Sequence, residues 1–300
     1  MQGASVRIMD DDFPNPEVEV ERRHLLEIAN QLATGNTVFA ANAAVEFGQL
    51  AATERGILLL LSQPAADVAA RHLGVRLHAA ALPGALRDEV QAAGAAAGAV
   101  AIIARNPQGA KWLLNPHRDL TSGGPGVETA VAGIFEGLAG LLQYDTQAVG
   151  EAVNALSSLA NCPASFDQLS QLPDVLFRSV VAGMVSALFN QPEDKSLLAT
   201  ETLCTMFNSM VVRRRLLRIS AWDRVLLGEL TDLLKTHARK HAMTVLCAIV
   251  AQEDFRHQLM TRIDSFQPLV AELILMLEHG HDSLPHACAV FCGFAADELS

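Results

Sequence analysis

From Glu19 onward the apolar residues recur at the three- and four-residue spacings of amphipathic helices, and strand-like alternation is scarce. A longer pattern runs through these helices. It is a frame of an alanine, a large apolar residue four positions later, a small residue beside it, and another apolar residue two further on. The frame reads Ala43, Phe47, Gly48, Leu50, then Ala96, Val100, Ala101, Ile103, then Ala152, Leu156, Ser157, Leu159. It continues as Ala199, Leu203, Cys204, Met206, then Ala242, Leu246, Cys247, Ile249, then Ala287, Phe291, Cys292, Phe294. Successive frames lie 43 to 56 residues apart. A second register advances with the first. A leucine expected to close the preceding helix stands eight to eleven residues before each alanine, at Leu32, Leu86, Leu142, Leu188, Leu234 and Leu277.

Each frame places its alanine and its large residues on one helix face. The small residue after the first large one allows a neighbouring helix to approach closely. A lone helix pair of this kind cannot bury its apolar face, whereas stacking one pair on the next closes a continuous core. Leu156, Leu203, Leu246 and Phe291 are therefore expected in the core, with Cys204, Cys247 and Cys292 as buried, reduced, structural thiols.

The segment Glu151–Lys195, EAVNALSSLANCPASFDQLSQLPDVLFRSVVAGMVSALFNQPEDK, resembles an armadillo repeat, a unit of about 40–47 residues with two or three helices. The resemblance implies an all-α fold, a right-handed α-solenoid of about six repeats. In it 151–160 is a third helix and 175–190 the second helix of the next repeat. The match is good over 125–300 and weaker over 20–115, where a HEAT-type pattern is the alternative. The expected division is an acidic, proline-broken, disordered tail over 1–18 and a helical repeat domain over 19–300, with Asn115–Gly126 as an inserted loop.

Composition narrows the function classes. There are 22 Lys and Arg against 33 Asp and Glu, a net charge of −11, with only two Trp and one Tyr. That balance argues against a nucleic-acid surface, which wants clustered cations and exposed aromatics. The longest small-apolar run, Ala92–Ala104, is too short for a membrane span, and no basic-then-apolar leader opens the chain. A cytoplasmic protein is expected, with nuclear or cytoskeletal association left open.

In armadillo arrays the third helices line a concave groove for an extended peptide segment. In importin-α-type members that groove bears a Trp two residues before the first large residue and an Asn two after it. Here those positions hold Val45, Gly98, Asn154, Glu201, Thr244 and Ala289, and Gln49, Ile102, Ser158, Thr205, Ala248 and Gly293. The Trp/Asn ladder is absent. Two residues before or after a core anchor the helix has turned by about 200°, so these side chains face away from the core. Asn154, Ser158, Glu201, Thr205 and Thr244 are the candidate partner-binding residues. A second candidate is the basic cluster Arg213, Arg214, Arg215 and Arg218, a docking patch for an acidic segment.

Chemistry-bearing motifs are weak. His237 and His241 share a helix face, and His279, His281 and His286 lie near Cys288, but neither group has a zinc motif's spacing. His117-Arg118-Asp119-Leu120 mimics a kinase catalytic loop, yet Gly124 stands where Asn would hold magnesium. Gly123-Gly124-Pro125-Gly126 lacks the Lys and Ser/Thr of a phosphate loop. No catalytic residue, cofactor or metal is expected. The implied function is a non-enzymatic protein–protein scaffold, with a nucleotide-exchange-type co-chaperone of a heat-shock chaperone as the alternative. Far-ultraviolet circular dichroism should show helix without substantial β content; a strong β signal would contradict the repeat reading.

Overall fold

The computed structural model describes residues 16–82, 84–114, 127–144, 147–219, 222–261, 263–279 and 284–295. Every element among them is a helix, in three recurring roles. First helices are short: α3 (Glu54–Ser62), α6 (Pro107–Leu113), α9 (Pro163–Gln171), α12 (Met210–Arg218) and α15 (Glu253–Thr261). Second helices are α1 (Pro16–Ala33), α4 (Pro64–Ala81), α7 (Val127–Leu141), α10 (Asp174–Asn190), α13 (Trp222–Leu233) and α16 (Ile263–His279). Third helices are α2 (Thr37–Ala51), α5 (Arg87–Ala104), α8 (Gln147–Ala160), α11 (Glu193–Asn208), α14 (Arg239–Val250) and α17 (Leu284–Ala295). Each helix packs on the one of the same role in the next repeat, giving three parallel ladders and six stacked units. α8 and α10 match the expected third and second helices over 151–160 and 175–190. α1 begins at Pro16, inside the expected 1–18 tail. Residues 1–15 and the expected loop 115–126, with its kinase-like and glycine-rich fragments, lie outside the described residues.

Local chemistry sets the helix ends. The Asn36 carboxamide accepts from the Val38 and Phe39 amides, Asn106 does the same for Gln108 and Gly109, and Thr53 accepts from Gly56. Pro64, Pro107 and Pro163 occupy first-turn positions, where the missing N–H costs nothing.

The turn from third to first helix repeats a device the sequence register does not reveal. Six residues after a carbonyl near the end of the third helix stands Gly56, Gly109, Ser165, Arg213 or Arg256. At Gly56 a Cβ would lie 1.7 Å from the Leu50 oxygen, and at Gly109 2.3 Å from that of Ile103, so only glycine fits. Ser165 Oγ instead donates to the Leu159 carbonyl, Arg213 Nη1 to that of Phe207, and Arg256 Nη1 to that of Val250. The last carbonyls of a helix have no partner within it, and these groups supply one.

The alanine register is fully buried: Ala43, Ala96, Ala152, Ala199, Ala242 and Ala287 are all 0% exposed. The anchors Phe47, Val100, Leu156, Leu203 and Leu246 are buried too, and Phe291 is partly buried against the same core. Small residues set the approach of successive helices. A Cβ on Gly48 would stand 3.1 Å from the Ala99 Cα, and one on Gly94 3.0 Å from the Ala148 Cβ. In the second-helix ladder Gly137 accommodates Leu77, and Gly183 accommodates Leu142.

One member of the leucine register is misplaced. Leu86 does not close a helix; it is the exposed residue that opens α5. Leu77 of α4, wholly buried, takes the core position, packed against Gly137 of the next second helix. Replacing Leu203 by Ala deletes buried methylenes and leaves a cavity, so it should cost about 2–5 kcal/mol, read from the denaturant midpoint.

Candidate functional site

The five candidate groove residues all fall on the third-helix ladder, facing away from the core. Asn154 and Ser158 lie on α8, Glu201 and Thr205 on α11, Thr244 on α14; Glu201 is exposed and the others are half-buried. The three hydroxyls share one geometry. Ser158 donates to the Asn154 carbonyl at 2.9 Å, Thr205 to that of Glu201 at 2.9 Å, and Thr244 to that of Lys240 at 3.0 Å. With its proton turned into its own helix, each hydroxyl presents only acceptor lone pairs outward.

Asn154 is the hub of a polar bridge between repeats. Its amide nitrogen donates to Glu151 Oε2 at 3.2 Å, and its oxygen accepts from Lys195 Nζ at 3.0 Å. Lys195 also lies 3.7 Å from Asp194. Beside this bridge a cleft of about 350 Å³ runs between α5, α8 and α11, lined by Arg105, Asn154, Ser158, Asn161 and Leu198. A second, of about 480 Å³, opens over Gln147, Glu151, Gln191, Asp194 and Lys195.

Sequence reading missed Arg105, Asn161 and Lys195. For Lys195 a signal existed. Asn154 and Lys195 are 41 residues apart, as are Thr200 and His241, Arg213 and Asp254, and Arg215 and Asp174. Complementary polar residues one repeat apart mark contacts between adjacent units.

The arginine cluster lies elsewhere, on α12 of the first-helix ladder, so the two candidate groups do not form one site. Its members divide. Arg213 Nε donates to Asp254 at 2.8 Å, and Arg215 reaches Asp174 at 2.9 Å, donates to the Ser170 carbonyl and lies over the Phe177 ring. These two tie α12 to the repeats on either side. Arg214 and Arg218 are exposed.

His237 and His241 sit in contacts between repeats. His241 is buried, with Nδ1 3.0 Å from Thr200 Oγ1 and Nε2 3.3 Å from Glu193 Oε2. The Thr200 hydroxyl also lies 2.7 Å from the Ser196 carbonyl. The His237 ring packs against that of Phe189 at 4.7 Å. His281 lies outside the described residues, as does the side chain of His279. Among the described residues no three His, Cys, Asp or Glu side chains are grouped to hold a metal.

The thiols need correction. Cys204 and Cys247 are half-buried, each directed at a carbonyl of the following third helix, Thr244 at 3.9 Å and His286 at 3.7 Å. Cys292 holds the same register position yet is exposed, because α17 is the last described third helix and no described helix covers that face. Burial, then the neighbouring Cys247 and Glu201, push the Cys204 thiol up to about 11. Burial also raises that of Cys247.

No protein-family model and no curated protein matches the sequence. Solved structures do match in fold. One is an engineered protein, with a TM-score of 0.58 at 18% identity over 91% of this chain and 98% of that one. Another is a designed armadillo repeat protein in complex with the peptide (KR)4, with a TM-score of 0.55 at 17% identity over 90% and 99%. A third is a computationally designed armadillo repeat protein for modular peptide recognition, with a TM-score of 0.56 at 18% identity over 90% and 99%. The fold is an armadillo-like solenoid along its whole described length.

A neutral-pH thiol reagent should modify Cys288 and Cys292 well before Cys204 and Cys247, as mass spectrometry of timed samples would report. Because the Cys204 thiol is raised in the fold, its contribution to stability is complete below about pH 9 and is lost as pH rises towards 11. Equal labelling of all four would contradict the first statement, and a melting temperature unchanged between pH 9 and 11 the second.

Proposed function

We propose that this solenoid is a non-enzymatic scaffold whose third-helix face receives an extended segment of a partner protein, centred on α8, α11 and α14. The observation that carries the reading is the row of outward acceptors: Ser158, Thr205 and Thr244, in one register position or its counterpart on successive helices, each with its proton bound internally. An extended peptide offers backbone N–H donors along its length, which a helical partner does not. The exposed Glu201 carboxylate on the same face adds a strong acceptor, so a segment carrying Lys or Arg suits it best. The clefts beside Asn154 give side chains of such a segment somewhere to lie.

The same geometry weighs against catalysis. A nucleophile needs a base within hydrogen-bond reach, and the hydroxyls here donate to backbone carbonyls of their own helices instead. The co-chaperone alternative draws no specific support from these side chains.

Affinity purification with mass spectrometry identifies the partner, and capture of a nucleotide-free heat-shock chaperone would favour the alternative. With the partner in hand, a combined Asn154→Ala, Glu201→Ala and Thr244→Ala variant should lose at least about tenfold in affinity, on the scale of a few lost polar contacts. Because Asn154 also bridges to Lys195, the Glu201→Ala, Thr244→Ala double variant is the control, and its melting temperature should stay within a few degrees of wild type while affinity still falls. Unchanged affinity would move the binding surface off the third helices.

A further inference from the structure

We propose that the outer face of α12 is a second docking surface, for an acidic segment of another molecule with apolar residues beside its carboxylates. The proposal starts from how four nearly consecutive arginines are spread around one helix. At about 100° per residue, Val212 and Leu216 define the buried side. Arg213 and Arg215 then fall on the two flanks, where their guanidinium groups reach Asp254 and Asp174 in the adjoining repeats. Met210, Arg214, Arg218 and Val211 fall together on the side opposite the core.

That outer side has no evident structural task. Met210 is 50% and Val211 57% exposed, and Arg214 and Arg218 are exposed, with no ion pair among the described residues. Like charges four apart on a helix repel modestly, so the fold gains nothing by keeping both free. In a chain of net charge −11 this is a cationic spot with an apolar N-terminal end. Its complement is a strip of carboxylates carrying an apolar side chain.

An anionic bilayer fits less well. Asp167 of α9 and Glu253 of α15 are exposed on the helices that pack on either side of α12, and a flat anionic surface would meet them too. A single extended segment can lie along α12 between them. The nine-residue helix also offers little apolar area for membrane anchoring.

The chain's one run of three consecutive carboxylates flanked by apolar residues is Ile8-Met9-Asp10-Asp11-Asp12-Phe13. It cannot serve in cis. α1 begins at Pro16 and α12 belongs to the fifth repeat; four helix-to-helix steps of about 9 Å exceed the roughly 20 Å that six residues can span. This stretch therefore serves as a ready probe of the same chemistry carried by another molecule.

The test uses a fluorescent peptide of residues 8–16 with the full-length protein, read by anisotropy at low salt. Binding is expected to weaken as salt rises, and to weaken by at least about fivefold in an Arg214→Ala, Arg218→Ala variant whose melting temperature is unchanged. A peptide with Asn at 10–12 should bind no better than that variant does. Arg213→Ala and Arg215→Ala serve as structural contrasts, lowering the melting temperature. Equal affinity for wild type and the Arg214/Arg218 variant would overturn the proposal. So would failure of the peptide to bind while phosphatidylserine vesicles bind in an arginine-dependent way.

Discussion

The close approach of successive third helices is the constraint on which the rest of the structure depends. No repeat can bury its own apolar face, so each relies on its neighbour, and the neighbour can come near only where side chains are small. Gly48 faces Ala99 and Gly94 faces Ala148 at distances that crowd even a methyl group. The alanine register supplies the same tolerance in every repeat and is wholly buried throughout. Once the anchors Leu156, Leu203 and Leu246 are committed to that core, the residues two before and two after them must face outward. The candidate groove is thus a consequence of stacking.

Polar groups then fix how neighbouring units sit. Asn154 with Lys195, Thr200 with His241, Arg213 with Asp254 and Arg215 with Asp174 each span 41 residues, one repeat. Hydrogen bonds and ion pairs of this kind are directional where apolar packing is not. The turn from third to first helix shows the same shift from sterics to polarity along the chain. The first two turns exclude everything but glycine, the next satisfies the carbonyl with Ser165, and the last two use Arg213 and Arg256.

The parts that were legible in the sequence are those governed by helical periodicity. The alanines, the anchors and the outward positions of α8, α11 and α14 follow from spacing alone, because each depends on one helix. What was hidden depends on two. Leu86 satisfied the expected interval, but the core position belongs to Leu77, packed against Gly137 of the next second helix. Cys292 matched Cys204 and Cys247 in register, yet register cannot report that no described helix follows α17. The arginines read as one cluster because the sequence does not say where α12 begins; with its bounds known, two face neighbouring carboxylates and two face outward. Their partners were within reach of the repeat period itself, had complementary charges been sought one repeat apart.

Hydrogen exchange resolved by helix tests the dependence on stacking most directly. In a stack stabilised by neighbours, opening is cheapest at the ends and dearest in the middle. α5 and α8, each packed between two third helices, should therefore exchange slowest, and α17, with a described neighbour on one side only, much faster. If α5 exchanged as fast as α17, the close approach between third helices would not be what holds the protein together.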